Sequence, residues 1–382
     1  MLLVGYFEGI DSEHGLEWRC SDSLLLREFL RLGERALVPD HSWLSRIRAR
    51  LPLELHDQVF TWVLQRLAEH GLVRNERIGV DGSTMEANAA LRTIVRREGG
   101  EIYREMLGRM AAESGIETPT ADDLIRLDRT RTGKKLSNTD WESLTDPDAR
   151  IARMKDGRTH LAYKPEHAVD LDTGAVIAAE MHPADQGDTT TLPGTLASAA
   201  THRAAVDAEP TPQDPTELAA DKGYPSRAGL KAMEDRPLKS RVSEPRRDGF
   251  LRWHGDDAAR RAVYNNRARL PSEVARQAFK LRAELVERAF ALIPDRGGMR
   301  RAWLRGRENV HKRHLIHVAG YNLGPIMRLL TGAGTPRRFR VRDLVLFGVL
   351  PAVDGGCILL FVAVASNQIA ALAVNLRPDP FT

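Results

Sequence analysis

The sequence predicts a mixed α/β chain, with a sheet flanked by helices behind a helical amino-terminal region. Three observations carry this. Two short apolar runs, Arg77-Ile78-Gly79-Val80-Asp81 and Glu217-Leu218-Ala219-Ala220-Asp221, each end on an aspartate. An acid there is costly unless the strand runs out at the rim of a sheet, where a cation, donors or solvent can meet it. Alternating segments between residues 159 and 179 are joined by an Asp172-Thr173-Gly174 turn, the pattern of an antiparallel pair. After Asp221 the chain reads strand, helix, strand, which belongs to an α/β sheet.

Residues 20 to 70 keep a helical spacing through Leu25, Phe29 and Leu32 and again through Phe60, Val63, Leu64 and Leu67, punctuated by Pro39 and Pro52. Between those prolines Ser42 is expected to cap a helix carrying Trp43, Arg46, Arg48 and Arg50, a layout suited to lying against duplex DNA. The same three-helix pattern also occurs in proteins that never meet DNA. Ile78 to Asp81 reads as a buried strand followed by the small residues Gly82-Ser83-Thr84, with Glu86 and Asn88 just beyond. Residues 91–150 are strongly charged and read as a linker or insertion, with helices around Ile94 to Gly108 and Ala121 to Asp128 and a polar Lys134 to Asn138 loop.

Strands are expected at Thr159 to Lys164, His167 to Leu171 and Ala175 to Ala179. Asp188 is placed to cap a helix running to about His202, which is a blander role than catalysis. Prolines 210, 212 and 215 make the stretch before Asp221 an exposed loop. A helix near Ala228 to Glu234 and a strand at Ser240 to Ser243 follow. Beyond Glu284 the pattern is helical, broken near Pro294 and Gly297-Gly298. The stripe Ile316, Ala319, Leu323, Ile326 and Leu330 reads as core. The expected division is a helical DNA-binding region at 1–75, a catalytic domain at 76–335 containing the charged segment, and an apolar tail at 336–382.

At 382 residues the chain is long enough for two or three domains of about 150 residues each. Its 56 Lys+Arg against 52 Asp+Glu leave a formal charge of +4, so the distribution of charge says more than the sum. Arg296, Arg300, Arg301, Arg305, Arg307, Lys312 and Arg313, then Arg337, Arg338, Arg340 and Arg342, crowd one stretch as a phosphate-tracking surface requires; a solvated helix face is the alternative. Cys20 and Cys357 are the two cysteines, which encode neither a disulfide framework nor a thiolate zinc site and fit a reducing cytoplasm. The amino terminus has no basic n-region and meets Glu8 too early for a secretory signal. Gly355 to Leu376 lacks charge and approaches the roughly 20 residues of a membrane span. Ser366-Asn367-Gln368 at its middle argues instead for a buried or poorly formed tail. Membrane partners and small-molecule substrates are not expected.

The acids define the chemistry to look for. Asp81, Asp221 and a third acid, Glu287, expected at the head of a long basic helix, suit phosphodiester cleavage. That reaction needs an activated oxygen nucleophile and a stabilised leaving oxygen, and two divalent ions about 3.5–4 Å apart serve both. Magnesium, with manganese as a substitute, prefers such carboxylate oxygens to a His/Cys cage. Asp81 would bridge both ions, Asp221 and Glu287 would each secure one, and Lys222 and Arg288 would grip the phosphate. Acids at strand ends are also ordinary structural features. His311, His314 and His317 recur every third residue, and positions six apart face opposite sides of a helix, so packing or phosphate contact is expected. His160, His167 and His182 are given no role.

Val80-Asp81-Gly82-Ser83-Thr84-Met85-Glu86-Ala87-Asn88-Ala89, Ala220-Asp221-Lys222-Gly223-Tyr224 and Val286-Glu287-Arg288-Ala289-Phe290 together resemble the blocks of bacterial insertion-sequence transposases with an Asp-Asp-Glu triad and a DUF772-type helical amino terminus. The resemblance continues in Met299-Arg300-Arg301, Leu304-Arg305-Gly306 and Tyr321-Asn322-Leu323, and covers roughly residues 1 to 336. It implies an RNase H-like catalytic domain, magnesium dependence, recognition of inverted-repeat element ends and of target duplex, and a homo-oligomer on DNA. The first two acids stand 140 positions apart (81 to 221) and the last two 66 apart (221 to 287), which leaves room for the strands and helices of that order.

Two departures stand out. Tyr264 and Arg267 begin the Tyr-x2-Arg-x3-Glu-x6-Lys signature of related transposases, but Pro271 occupies the position of its acid. With Glu287 as that acid the lysine position falls on Pro294, and Glu284, one turn earlier, offers another carboxylate. The tail after Arg342 matches none of the family's chemistry. A nuclease that cuts without joining, and a catalytically inactive DNA-binding derivative, are the alternative readings.

Overall fold

The computed structural model of the chain describes residues 1–332 apart from 34, 75, 133–135, 155–156, 247–252 and 254, together with the backbone of three later strands. The expected basic positions Arg337, Arg338, Arg340 and Arg342, the side chain of Arg296, and Lys134 and Lys135 lie outside the described residues. The region from 1 to 69 is helical: α1 Leu2–Glu8, α2 Glu13–Asp22, α3 Leu24–Phe29, α4 His41–Arg50 and α5 Leu53–Glu69. Ser42 does not cap α4. Asp40 does, its carboxylate accepting from the Trp43 amide at 2.5 Å, because Asp40 stands just outside the helix where the free N–H groups point and Ser42 is already inside the first turn.

The next elements are β1 Arg77–Gly82, β2 Met85–Glu86, β3 Ile94–Arg96, α6 Tyr103–Glu113, α7 Ala121–Thr130, β4 Trp141–Ser143, β5 Arg150–Arg153, β6 Thr159–Asp170, β7 Val176–Pro183, α8 Asp188–Ala204, β8 Thr216–Ala220, α9 Arg227–Glu234 and β9 Leu238–Val242. Helices α10 Asp257–Arg269, α11 Glu273–Gly297 and α12 Arg307–Thr331 follow. Three antiparallel strands, Val345–Pro351, Cys357–Ala365 and Gln368–Leu376, form a small sheet of their own in the carboxyl-terminal tail.

The two runs expected at 159–164 and 167–171 are one strand. Pro165 cannot donate, but its carbonyl accepts from Ser83 N at 2.9 Å and the strand continues through it. The central sheet runs β7-β6-β1-β8-β9; β6 is antiparallel to both β7 and β1, while β1, β8 and β9 are parallel to one another. This is an RNase H-like mixed sheet. Alternation along β1 sends Gly79 and Asp81 to one face and Val80 and Gly82 to the other. Helices α11 and α12 cover the first face, where Arg282 and Val286 meet Gly79 and His314 meets His167; α8 covers the second, through Thr191 and Glu166.

Two expectations about helices change. Asp188 is the first residue of α8 rather than its cap, which is Gly187; its carboxylate is drawn away to Lys164 Nζ at 2.6 Å. Helix α11 begins at Glu273, capped by the Ser272 hydroxyl, and carries Pro294 within it before closing at Gly298 in the left-handed region. Glu287 therefore sits in the middle of this helix, not at its head. The charged stretch 91–150 contributes Ile94, Tyr103, Leu107, Leu124 and Trp141 to a second core that also holds Met85, Tyr163, Met181 and Val310. Among the described residues no helix is long and apolar enough to cross a membrane.

Candidate active site

Asp81 and Asp221 leave the sheet side by side. Val80 and Ala220 are partners in the parallel β1–β8 ladder, so the next residue of each strand is one of the two aspartates, and both belong to the face beneath α11. Each carboxylate is fixed in the same way at one oxygen: Asp81 Oδ1 accepts from Gly82 N at 2.9 Å and Asp221 Oδ1 from Lys222 N at 2.6 Å. The other oxygens meet one cation. Arg282 of α11 places a terminal guanidinium nitrogen 3.0 Å from Asp81 Oδ2 and 3.8 Å from Asp221 Oδ2, so these oxygens are at most 6.8 Å apart, the sum of the two separations. Its Nε donates to the Val80 carbonyl at 3.2 Å.

Helix α11 reaches the site because β1 has no side chain under it. A Cβ built on Gly79 would lie 2.7 Å from Leu171 Cδ2 and 3.2 Å from both Arg282 Cγ and Val286 Cγ2. Gly79→Ala is expected to lift α11 and cost about 1–3 kcal/mol, as overpacking does. Urea unfolding checks this, and a stability within 0.5 kcal/mol of wild type, on the order of surface-substitution scatter, would contradict it.

Farther along α11, Phe290 stacks on His167 with ring centroids 4.2 Å apart and planes 3° from parallel. His167 is the cross-strand partner of Asp81, so Phe290 is anchored beside that aspartate, while Val286 packs on Gly79 two residues earlier in β1. Glu287 lies between these anchors on the exposed side of the helix. Glu284 is also exposed and is held by Arg288 in an i,i+4 ion pair. Among the described residues, three potential ligand atoms come within 4.8 Å of one another only at His14, Glu17 and His41 on α2 and α4, where the two imidazoles stack with centroids 3.6 Å apart. Asp81 and Asp221 are thus brought together, while Glu287 forms no three-ligand set with them among the described residues.

The opposite face of the strand ends rests on a buried polar network that sequence reasoning missed. Tyr224 donates to Glu166 Oε1 at 3.0 Å, and Thr191 and Thr195 also donate to the fully buried Glu166. Lys164 Nζ binds Asp188 and donates to Thr191 Oγ1 at 2.9 Å. Burial, then the nearby Glu166, Asp188 and Asp81 charges, push the Tyr224 hydroxyl well above its ordinary range, so it remains a donor. Two glycines bring the turns onto this network: a Cβ on Gly82 would meet Lys164 Cε at 2.9 Å, and one on Gly223 would clash with the Asp188 carboxylate. The only sequence-level signal was a charged pair, Lys164 and Glu166, inside an apolar strand.

The expected DNA-contacting residues separate into two groups. Lys222, Arg288, Arg300, Arg301, Arg305 and Arg46 are exposed. The Arg300–Arg301 segment docks beside β2, just past the Asp81 strand: Glu86 N donates to Arg300 O at 3.3 Å and Ala302 N to Glu86 O at 2.7 Å. Arg48 and Lys312, expected on the same surface, are buried instead. Arg48 is paired with Glu13, and Lys312 Nζ binds Glu308 at 2.6 Å and the Arg48 carbonyl at 3.3 Å. Their charges are satisfied inside the helical packing, which removes them from the reach of a phosphate. Arg313 is half-buried, donating to Asp11 O at 2.9 Å, with burial lowering its pKa. The three expected helix histidines are all core: His311 meets the Ala179 carbonyl, His314 meets His167, and His317 packs by Tyr6.

Two family models match the chain: a transposase domain, DUF772, over residues 1–50, and a transposase DDE domain over residues 254–327. Both are transposase families, and the pair is consistent with an insertion-sequence transposase. The first match spans α1 to α4; the second spans α10, α11 and most of α12, and so includes both Glu284 and Glu287. No curated protein and no solved structure matches it. A DDE domain implies use of a divalent metal. The donor set fits such an ion: two carboxylates with a cation already drawn to both of them, at solvent-accessible strand ends.

Proposed function

We propose that this transposase cleaves phosphodiester bonds at the ends of a DNA element and transfers the freed 3′ ends into target DNA, with Asp81, Asp221 and Glu287 as the acids of the centre. The observation that carries the reading is the convergence of Asp81 and Asp221, from adjacent parallel strands, on one cation. When bound, two magnesium ions, or manganese in their place, would supply an activated oxygen nucleophile and stabilise the leaving oxygen. Asp81 would hold both ions and Asp221 and Glu287 one each. The chain's own contribution is orientation: the Gly82 and Lys222 amides fix the aspartate rotamers, and the Val286 contact with Gly79 and the Phe290 stack on His167 would fix the turn of α11 that carries Glu287.

Lys222, next to Asp221 in the chain, and Arg288, next to Glu287, would neutralise the scissile phosphate. Arg300, Arg301 and Arg305 would track the backbone beyond it, with Arg46 on α4 gripping the element end and Arg313 in a lesser role. Both element ends must be held for joining, so a homo-oligomer assembled on DNA in a cytoplasmic setting is part of the proposal.

The test is incubation of end-bearing duplex DNA with the full chain and magnesium. Nicked 3′ ends and joined products are expected; nicks without joining would identify a nuclease, and neither would identify an inactive DNA-binding derivative. Glu287→Ala is expected to lower cleavage at least about 100-fold and Glu284→Ala less than about 10-fold, in line with loss of a metal ligand against loss of a surface ion pair. The reverse order would move the third acid to Glu284.

A further inference from the structure

The cation between the two aspartates is part of the protein. Arg282 issues from the buried face of α11, its side chain is 10% exposed, and its Nε is tied to the Val80 carbonyl, which sets the guanidinium directly under the strand ends. The oxygens are divided between two kinds of partner. In both aspartates Oδ1 accepts a backbone amide, and in both Oδ2 faces Arg282. A divalent ion shared by Asp81 and Asp221 therefore competes for the same Oδ2 atoms that the guanidinium holds.

We infer that Arg282 is a resident counter-cation, a positioning residue that keeps Asp81 and Asp221 together before a metal arrives and sets how readily they accept one. The inference rests on the proposed metal site at these aspartates. Without Arg282, two carboxylates at most 6.8 Å apart at the partly shielded end of a sheet would repel each other. With it the pair carries a single net negative charge, and its attraction for a divalent ion is reduced. The protein thus gains a preformed centre in the metal-free state at the expense of metal affinity. A role confined to packing would affect stability but leave metal affinity unchanged.

The test is Mn2+ binding to the full chain, followed by electron paramagnetic resonance of the free ion, for wild type, Arg282→Met and Asp81→Asn. Arg282→Met is expected to bind Mn2+ about tenfold more tightly than wild type, because a competing charge has gone while the aliphatic stem remains. Asp81→Asn is expected to weaken binding by at least tenfold, on the order of the loss of one carboxylate ligand. If Asp81→Asn binds as wild type does, the metal site itself is misplaced and the inference falls with it. If Asp81→Asn loses the ion but Arg282→Met matches wild type or binds more weakly, the metal site stands and the role of Arg282 is overturned. Should Arg282→Met fail to fold, millimolar Mn2+ is expected to restore its circular dichroism spectrum by replacing the lost cation; an unfolded protein that the ion does not rescue overturns the inference.

Discussion

Alanine at Asp81 is expected to reduce cleavage of end-bearing DNA by at least about 1,000-fold, the scale of losing a carboxylate that organises both reacting oxygens. Asp221→Ala is expected to fall in the same range. DNA binding should survive, because the exposed arginines 300, 301 and 305 are separate side chains on a segment docked through backbone bonds to Glu86. The paired measurement is a gel shift for affinity and a strand-cleavage assay for rate, at one salt concentration since phosphate contacts are screened. Cleavage by either variant within tenfold of wild type would remove that aspartate from the centre. Asp81→Asn adds a control: it keeps the side-chain shape and an acceptor for the Gly82 amide, so any loss it shows reports on charge.

Acid should destabilise the protein through its buried histidines before it affects the surface. Burial lowers both His167 and His317 to about 3 and His314 well below its ordinary value, with the other histidines adding repulsion at His314. His167 and His314 face each other at 2.7 Å through Nε2, which requires at least one of the two rings to be neutral with its Nε2 as the acceptor, so both cannot be protonated. The sign follows from linkage. A group whose folded pKa is depressed below the unfolded value of about 6.5 binds more protons when unfolded, so its contribution is fully present above that pH and is lost as pH falls toward 3. His167 and His317 alone make the expected loss on the order of 5 kcal/mol between pH 7.5 and pH 4.5, and His314 adds to it in the same direction.

Carboxylates also titrate in that window, so the variant carries the test. His317→Leu, at a position packed against Tyr6, is expected to flatten the dependence by roughly 1 kcal/mol per pH unit. Urea unfolding across the range measures it, and parallel curves for wild type and variant would show that His317 is not held neutral. Because His167 is stacked on Phe290 and paired across the ladder with Asp81, protonation there is expected to loosen α11 beside the site as well as the fold.

The amino-acid sequence by itself determined what neighbouring residues determine. The apolar runs ending at Asp81 and Asp221 are strands because short β-favouring segments bounded by small and turn-forming residues have one good local conformation. The Asp172-Thr173-Gly174 turn forces its flanking segments to pair antiparallel, and prolines 210, 212 and 215 forbid anything but a loop before β8. The cap of α4 is Asp40 and not the expected Ser42, because the first free amides point at the residue just outside the helix. Pro294 suggested a break that α11 absorbs inside its last turns.

Only the tertiary structure decided which charges are used where. Arg48 and Lys312 carry the same local signature as Arg46 and Arg305, yet their partners lie at Glu13 and on a carbonyl 264 residues away, and those partners took them inside. Arg282 is brought to two strand ends because α11 crosses the side-chain-free Gly79, a contact between residues 203 positions apart (79 to 282). Glu166, Lys164 and Tyr224 support the same turns from the opposite face through contacts between β6, α8 and the loop after β8. Burial of a charge is decided by the long-range contacts that compensate for its lost hydration, and those contacts exist only once the sheet and its helices have closed on each other.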